Sequence, residues 1–218
     1  MLAYKFTNPE GSGVFTGFRW ALPAGGAPGA WARTPSDVRA CVAGVHACRV
    51  AHLPYWLAAE LWEIELSGPV VESTFKLVAP AGRLVRRVEG WPAVQREFAE
   101  DCAARTLDLA TSHLHEAGLG DLADRALAAA GTAELQDVAL AAAQRAPALT
   151  ATLIGYAVDC SWDIDKRYYS MCAYVAATAF ANASTGAVVQ DMTSDGWVRE
   201  RARQARWLAD RLGLRDGD

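Results

Sequence analysis

The chain contains no stretch of 18 consecutive apolar residues, and its opening residues, Met1-Leu2-Ala3-Tyr4-Lys5-Phe6, lack the long apolar core of a secretory leader. Neither a membrane-spanning helix nor export is therefore expected, and the expected location is cytoplasmic. Basic residues never gather into a run longer than two. With 21 Lys and Arg against 25 Asp and Glu the formal charge is -4, so nucleic acid is not an expected partner. The phosphate-cradling pattern G-x-x-x-x-G-K-[ST] is missing, as are G-x-G-x-x-G and G-x-S-x-G, which removes the commonest nucleotide and serine-nucleophile motifs. The five cysteines, Cys41, Cys48, Cys102, Cys160 and Cys172, are odd in number and irregular in spacing. Reduced thiols, not a disulfide framework, follow from that count. No short C-x-x-C or H-x-x-x-H knuckle is present, so no metal and no cofactor are expected.

What the sequence does contain is apolar bulk: 52% of 218 residues are hydrophobic and eight are tryptophan. Such a chain can bury a core as one large domain or two small ones, and its aromatics suit either that core or a lined pocket. Composition changes at Gly90-Trp91-Pro92. Before it lie short β-prone segments at Ala3 to Phe6, Val14 to Trp20, Val45 to Cys48, Leu61 to Leu66, Phe75 to Val78 and Leu84 to Val88. Thr34-Pro35-Ser36-Asp37 reads as a helix start, with a short helix over Asp37 to Cys41, and a second short helix is expected over His52 to Ala59. The glycine-rich segment from Pro23 to Gly29 reads as a loop.

After Pro92 alanine dominates, and six helices are expected: Ala93 to Glu116, Leu122 to Ala130, Ala133 to Arg145, Ala148 to Cys160, Lys166 to Phe180 and Asp195 to Leu212, with glycines and Pro147 as stops. The fold class expected is α+β: a small mixed or antiparallel sheet over residues 1–90 and a helical bundle over 91–218, packed as one unit with an aromatic pocket at the join.

The densest group of reactive side chains runs from Gly44-Val45-His46-Ala47-Cys48 to Leu61-Trp62-Glu63-Ile64-Glu65-Leu66. On a strand with period two, Trp62, Ile64 and Leu66 share the core face, and Glu63 and Glu65 share the other with carboxylates roughly 7 Å apart. If that face is covered, one of them can titrate upward into the general-base range; if it is open to water, they are the polar side of a half-buried strand. His46 can carry a proton near neutral pH, or can be a core histidine bonded to backbone. Cys48 shares its face but lies too far away for a direct hydrogen bond. Arg19, between Phe18 and Trp20, can meet an anionic group. Arg83, Arg86 and Arg87 read as a solvated, salt-bridged strand. Trp162-Asp163-Ile164-Asp165 leads to Tyr168-Tyr169, where Asp165 reads as an N-cap and Trp162, Asp163 and Tyr169 suit the mouth of an aromatic pocket.

The segments Phe15-Thr16-Gly17-Phe18-Arg19-Trp20, Gly44-Val45-His46-Ala47-Cys48, Leu61-Trp62-Glu63-Ile64-Glu65-Leu66 and Lys76-Leu77-Val78-Ala79-Pro80 together resemble a domain of unknown function found in actinobacterial and phage proteins, over about residues 1–100. The alanine-rich remainder resembles helical extensions that follow it, some labelled immunity-like. More distantly, the order of a glycine, a strand with His46, a short helix and a strand ending in Glu-x-Glu is similar to the ADP-ribosyltransferase and RNA phosphotransferase fold. That similarity implies that His46 contacts a ribose and Arg19 a phosphate of NAD.

The expected function is cofactor-independent acid and base catalysis on a small, aromatic molecule of specialised metabolism, for example a Pictet-Spengler-type condensation or cyclisation. Glu63 or Glu65 is the expected base and His46 the proton shuttle. Stacking and cation-π contacts come from Trp20, Trp56, Trp62 or Trp162. The partner is a small-molecule substrate, with a homodimer as an allowed assembly. The alternatives are NAD-dependent ADP-ribosyl transfer and a non-enzymatic binding or immunity-like module.

Overall fold

In a computed structural model the chain is an α+β protein, described for residues 1–34, 38–40 and 42–217. Of the short helix expected over Asp37 to Cys41, the two end residues lie outside the described residues, and Val38 to Ala40 are not helical: Arg39 instead exchanges backbone hydrogen bonds of 2.8 and 2.9 Å with Ala43 across a tight turn. Seven strands form: β1 (Leu2–Thr7), β2 (Ala32–Arg33), β3 (Val45–Ala47), β4 (Glu60–Ser67), β5 (Val71–Ser73), β6 (Lys76–Ala79) and β7 (Ala81–Arg87). Six α-helices follow: α1 (Trp91–Glu116), α2 (Gly120–Ala128), α3 (Thr132–Arg145), α4 (Ala148–Asp165), α5 (Tyr169–Thr185) and α6 (Asp195–Leu212). None among the described residues is long and apolar enough to cross a membrane. Two compact units result, Met1–Val94 with Ala205–Asp218 and Gln95–Gln204, so the divisions fall inside α1 and α6.

The first unit holds two antiparallel sheets, one in the order β1-β4-β7-β2 and one in the order β3-β6-β5. β4 is an inner strand, paired with β1 on one side and β7 on the other, and it alternates from Trp62 to Leu66. Trp62, Ile64 and Leu66 are buried with Ala3, Val45, Leu77 and Leu84, while Glu63 and Glu65 point away from that core. Tyr4 and Cys48 exchange backbone hydrogen bonds of 2.9 and 2.8 Å, which stitches β1 to the residue after β3. The C-terminal residues clamp β1 from the other end of the chain. The Tyr4 hydroxyl donates to the Arg215 carbonyl at 2.8 Å and accepts from the Arg215 N–H, and the Val50 N–H donates to Asp216.

Two β-unit expectations are corrected. Val14 to Trp20 is not a strand: Gly13 and Phe18 close a turn, and a single bridge pairs Ser12 with Arg19. Its glycines at 13 and 17 favour a loop over a ladder. The helix expected over His52 to Ala59 is instead a 3-10 helix at Val50–Tyr55, closed by the Trp56 N–H donating to the Leu53 carbonyl at 3.0 Å.

In the second unit, α4 packs with both α3 and α5, and α2 with α3. Leu114, Leu122, Val138, Leu153, Ile154 and Ala179 are in its apolar core. Small residues allow close approach. Gly196, in the first turn of α6, lies so near the Phe180 carbonyl that a Cβ would collide with it. Asp165 is corrected from N-cap to helix end: α4 continues to Asp165, which accepts a 2.8 Å bond from the Thr132 hydroxyl, and α5 begins only at Tyr169. The segment from Trp162 to Asp165 stays helical because α4 needs no breaker until Arg167, whose φ of 63° turns the chain.

The same unit buries a charged network. Arg105 pairs with Glu200 and Asp101, Arg203 also reaches Asp101, and Gln204 donates to Glu200 at 2.8 Å and to the Ala173 carbonyl at 2.9 Å. Burial works against the Arg105 charge, but Glu200 outweighs it and leaves the arginine above its ordinary pKa.

Candidate active site

A cavity of about 630 Å³ opens in the first unit. β1 supplies Tyr4, Lys5 and Phe6, the segment around β3 supplies Gly44 to Cys48, and the loop after residue 12 supplies Val14, Phe15, Phe18 and Trp20. Arg33 and Thr34 at β2, Trp56 after the 3-10 helix and Lys76 at the start of β6 complete the principal polar and aromatic contributors. All these residues belong to the first unit.

The loop is held by one carboxylate. Glu60, buried at the start of β4, accepts from the Gly11 N–H at 3.1 Å, the Thr7 hydroxyl at 3.2 Å and the Trp62 Nε1 at 3.3 Å, and pairs with Arg87. Those bonds fix the base of the segment that carries Phe15, Phe18 and Trp20. Phe18 and Trp20, two apart, meet edge to face at 5.2 Å, and Phe15 approaches Trp56 at 6.3 Å. Phe15 stays 83% exposed, an apolar side chain beside a cavity to which it contributes.

His46 is half-buried on β3. Its Nδ1 lies 3.0 Å from the Gly44 carbonyl, so the neutral ring donates there and carries its lone pair on Nε2. Gly44 is required for that arrangement. Its φ of 136° lies where L-residues are strained, and a Cβ would collide with Val78 Cγ1. Burial, then the neighbouring Lys5 charge, lowers the His46 pKa, which favours the neutral imidazole.

Lys5 is the residue that sequence reasoning missed. Its Nζ donates to the His46 carbonyl at 2.8 Å and stands 5.0 Å from the centre of the Trp20 ring. Desolvation holds the ammonium down to about 8, well below its ordinary 10.5. No ion pair to it occurs among the described residues. A lone lysine on β1, at the edge of its sheet, carries no distinguishing sequence signal, because edge strands commonly use lysine to discourage pairing. Cys48, beside it, is a poor nucleophile: burial pushes its thiol up to about 12.

The described lining contains Lys5, Arg33, Lys76 and His46 but no aspartate or glutamate. Lys76 lies 5.7 Å over Trp56, whose Nε1 donates to the Phe75 carbonyl at 2.7 Å. The potential inside is therefore positive against an aromatic wall.

Of the residues singled out in the sequence, His46, Trp20 and Trp56 meet at this cavity. Glu63 and Glu65 do not line it. Each is engaged by an arginine of β7, Glu63 by Arg86 and Glu65 by Arg83 at 2.7 Å, and Arg83 also stacks on Trp31. Trp62 is core, its Nε1 3.1 Å from the Thr7 hydroxyl. Arg19 meets an anion, but an internal one, Glu10 at 3.0 Å, in an exposed pair away from the lining.

Trp162, Asp163 and Tyr169 belong to the second unit. Trp162 is exposed and lies against Tyr168 at 5.7 Å, whereas Asp163 is buried, and desolvation with a contribution from Asp159 raises its carboxyl to about 6. The thiols of Cys102 and Cys172 are raised far above their ordinary range, Cys172 by its hydrogen bond with Cys160 and then by burial, Cys102 by burial. They are inert packing.

No family model, curated protein or solved structure matches the chain.

Proposed function

We propose that the first unit is an enzyme that binds a small aromatic molecule and moves a proton on it, with His46 as the base. One observation carries this reading: an imidazole bonded through Nδ1 to the Gly44 carbonyl stands in the wall of an aromatic cavity beside a desolvated amine. The Gly44 carbonyl orients the ring, so Nε2 accepts the proton. Lys5 and Lys76 then stabilise negative charge that develops on the substrate. Lys5, Arg33 and Lys76, with no carboxylate among the described lining residues, favour an enolate or phenolate over the cationic intermediate of a Pictet-Spengler closure. Glu63 and Glu65, each held by arginine, support the sheet in this reading.

An NAD-dependent transferase with Arg19 on a phosphate receives no support from the geometry, since Arg19 is committed to Glu10 outside the lining. To test the proposal, aromatic phenols, ketones and acids are titrated against tryptophan fluorescence, and each bound compound is followed by NMR for C–H exchange in D2O. Catalysed exchange that His46→Gln abolishes while binding persists is the expected result. Binding without exchange in the native protein makes this a binding module, and exchange that survives in His46→Gln removes His46 as the base.

A further inference from the structure

We infer that Lys5 is an amine nucleophile that forms a Schiff base with an aromatic aldehyde or ketone in the cavity of the first unit. The inference rests on the same aromatic cavity as the proposed proton transfer and names the substrate class of that site. Its geometric basis is the placement of Nζ: bonded to the His46 carbonyl, set against the Trp20 ring, and in the lining together with a neutral imidazole. An ordinary structural lysine reaches for a carboxylate or for water. This one lies against a ring and a carbonyl, the surroundings in which a lysine becomes a nucleophile. Desolvation acts in the same direction by making the neutral amine accessible near pH 7.

The step balances without an oxidant or reductant. The Nζ lone pair adds to the carbonyl carbon while the C=O π pair moves to oxygen, and His46 Nε2 carries one Nζ proton to that oxygen, giving the neutral carbinolamine. The nitrogen lone pair then closes the C=N bond as the C–O bond breaks, and the second Nζ proton passes through His46 to the departing hydroxide, which leaves as water. Amine and aldehyde have become imine and water. Arg33 and Lys76 favour carbonyl compounds that also carry a carboxylate, and the imine, as an electron sink, makes a neighbouring C–H acidic enough for His46 to remove.

The sequence makes the test clean, because lysine occurs only at positions 5, 76 and 166. The native protein is incubated at pH 7 with 4-carboxybenzaldehyde and cyanoborohydride, which fixes an imine as a secondary amine, and labelled peptides are mapped by mass spectrometry. Lys5 is expected to label about a hundredfold faster than an ordinary lysine amine, as the drop from 10.5 to about 8 implies, and well ahead of Lys166. Lys5→Arg, which keeps the positive charge, should retain tryptophan quenching by the aldehyde and lose that label.

Equal labelling of Lys5, Lys166 and the Met1 amine overturns the inference. Quenching of tryptophan fluorescence with no Lys5 adduct overturns it too, but leaves the aromatic cavity and its proton transfer standing. An aldehyde that neither quenches nor labels sinks both. Should Lys5→Arg fail to fold, protection of Lys5 in the native protein by benzoate decides the matter: protection supports the cavity amine, and none counts against it.

Discussion

The two units bury positive charge in opposite ways. In the second, Arg105 is surrounded by carboxylates, with Glu200 and Asp101 in contact and Gln204 completing the shell of Glu200. In the first, Lys5 is buried against a carbonyl and an indole, in a lining with two further cations. A buried charge that finds its counter-charge holds the native state together, because removing either partner strands the other. One that finds none is costly to the fold, and its protonation becomes easy to change. The contrast separates, among the described residues, a buried charge that is matched from one that is not.

The largest test of the contrast breaks the matched network. Glu200→Ala leaves Arg105 buried beside one carboxylate fewer and is expected to cost about 3–5 kcal/mol in urea denaturation, the usual penalty for an uncompensated buried charge. A loss below about 1 kcal/mol would show that this network is no different from a surface pair.

Lys5 should behave in the reverse sense. Below pH 8 the amine is charged in both folded and unfolded chains, and the burial penalty is present in full. Between pH 8 and 10.5 the unfolded chain retains a proton that the folded chain has released, so this group's contribution to stability rises with pH across that window. The full difference is about 3 kcal/mol. Lys5→Met is therefore expected to be more stable than the native protein at pH 7 and to lose that advantage by pH 10.5, read from thermal unfolding at each pH. The opposite slope would mean that the amine has a counter-charge after all.

Intermediate in size is Gly44→Ala, which forces a Cβ toward Val78 in a left-handed backbone and disturbs the carbonyl that orients His46. About 1–3 kcal/mol should be lost, and Lys5 labelling should slow with it. Smallest is Arg86→Gln on the exposed side of β7. The expected stability change is about 1 kcal/mol at most, and Lys5 labelling should proceed at the native rate. Slower labelling in this variant would bring the Glu63 pair into the chemistry.

Much of the frame was legible because periodicity speaks plainly in some segments. β4 alternates so strictly that its core face, Trp62, Ile64 and Leu66, follows from spacing, and the stops at Gly118, Gly131 and Pro147 separate helices where they occur. Tertiary context decided the rest. Glu63 and Glu65 are indistinguishable in sequence from a catalytic pair until β7 aligns Arg86 and Arg83 opposite them. Val14 to Trp20 has strand-like residues, yet Glu60 draws the neighbouring Gly11 N–H into an anchored loop. Lys5 was hidden because its surroundings come from Trp20, His46 and Cys48, all distant in sequence, and a single lysine in a six-residue strand has no pattern of its own.

The clamp on β1 makes the cavity wall depend on a distant part of the chain. The strand that carries Lys5 is fastened through the Tyr4 hydroxyl to Arg215, 211 residues away, and the neighbouring 3-10 helix through the Val50 N–H to Asp216, 166 residues away. The intervening unit, residues 95–204, has a core of its own and can complete it during synthesis before those contacts form. The strand that bears Lys5 is thereby secured by residues synthesised long after it.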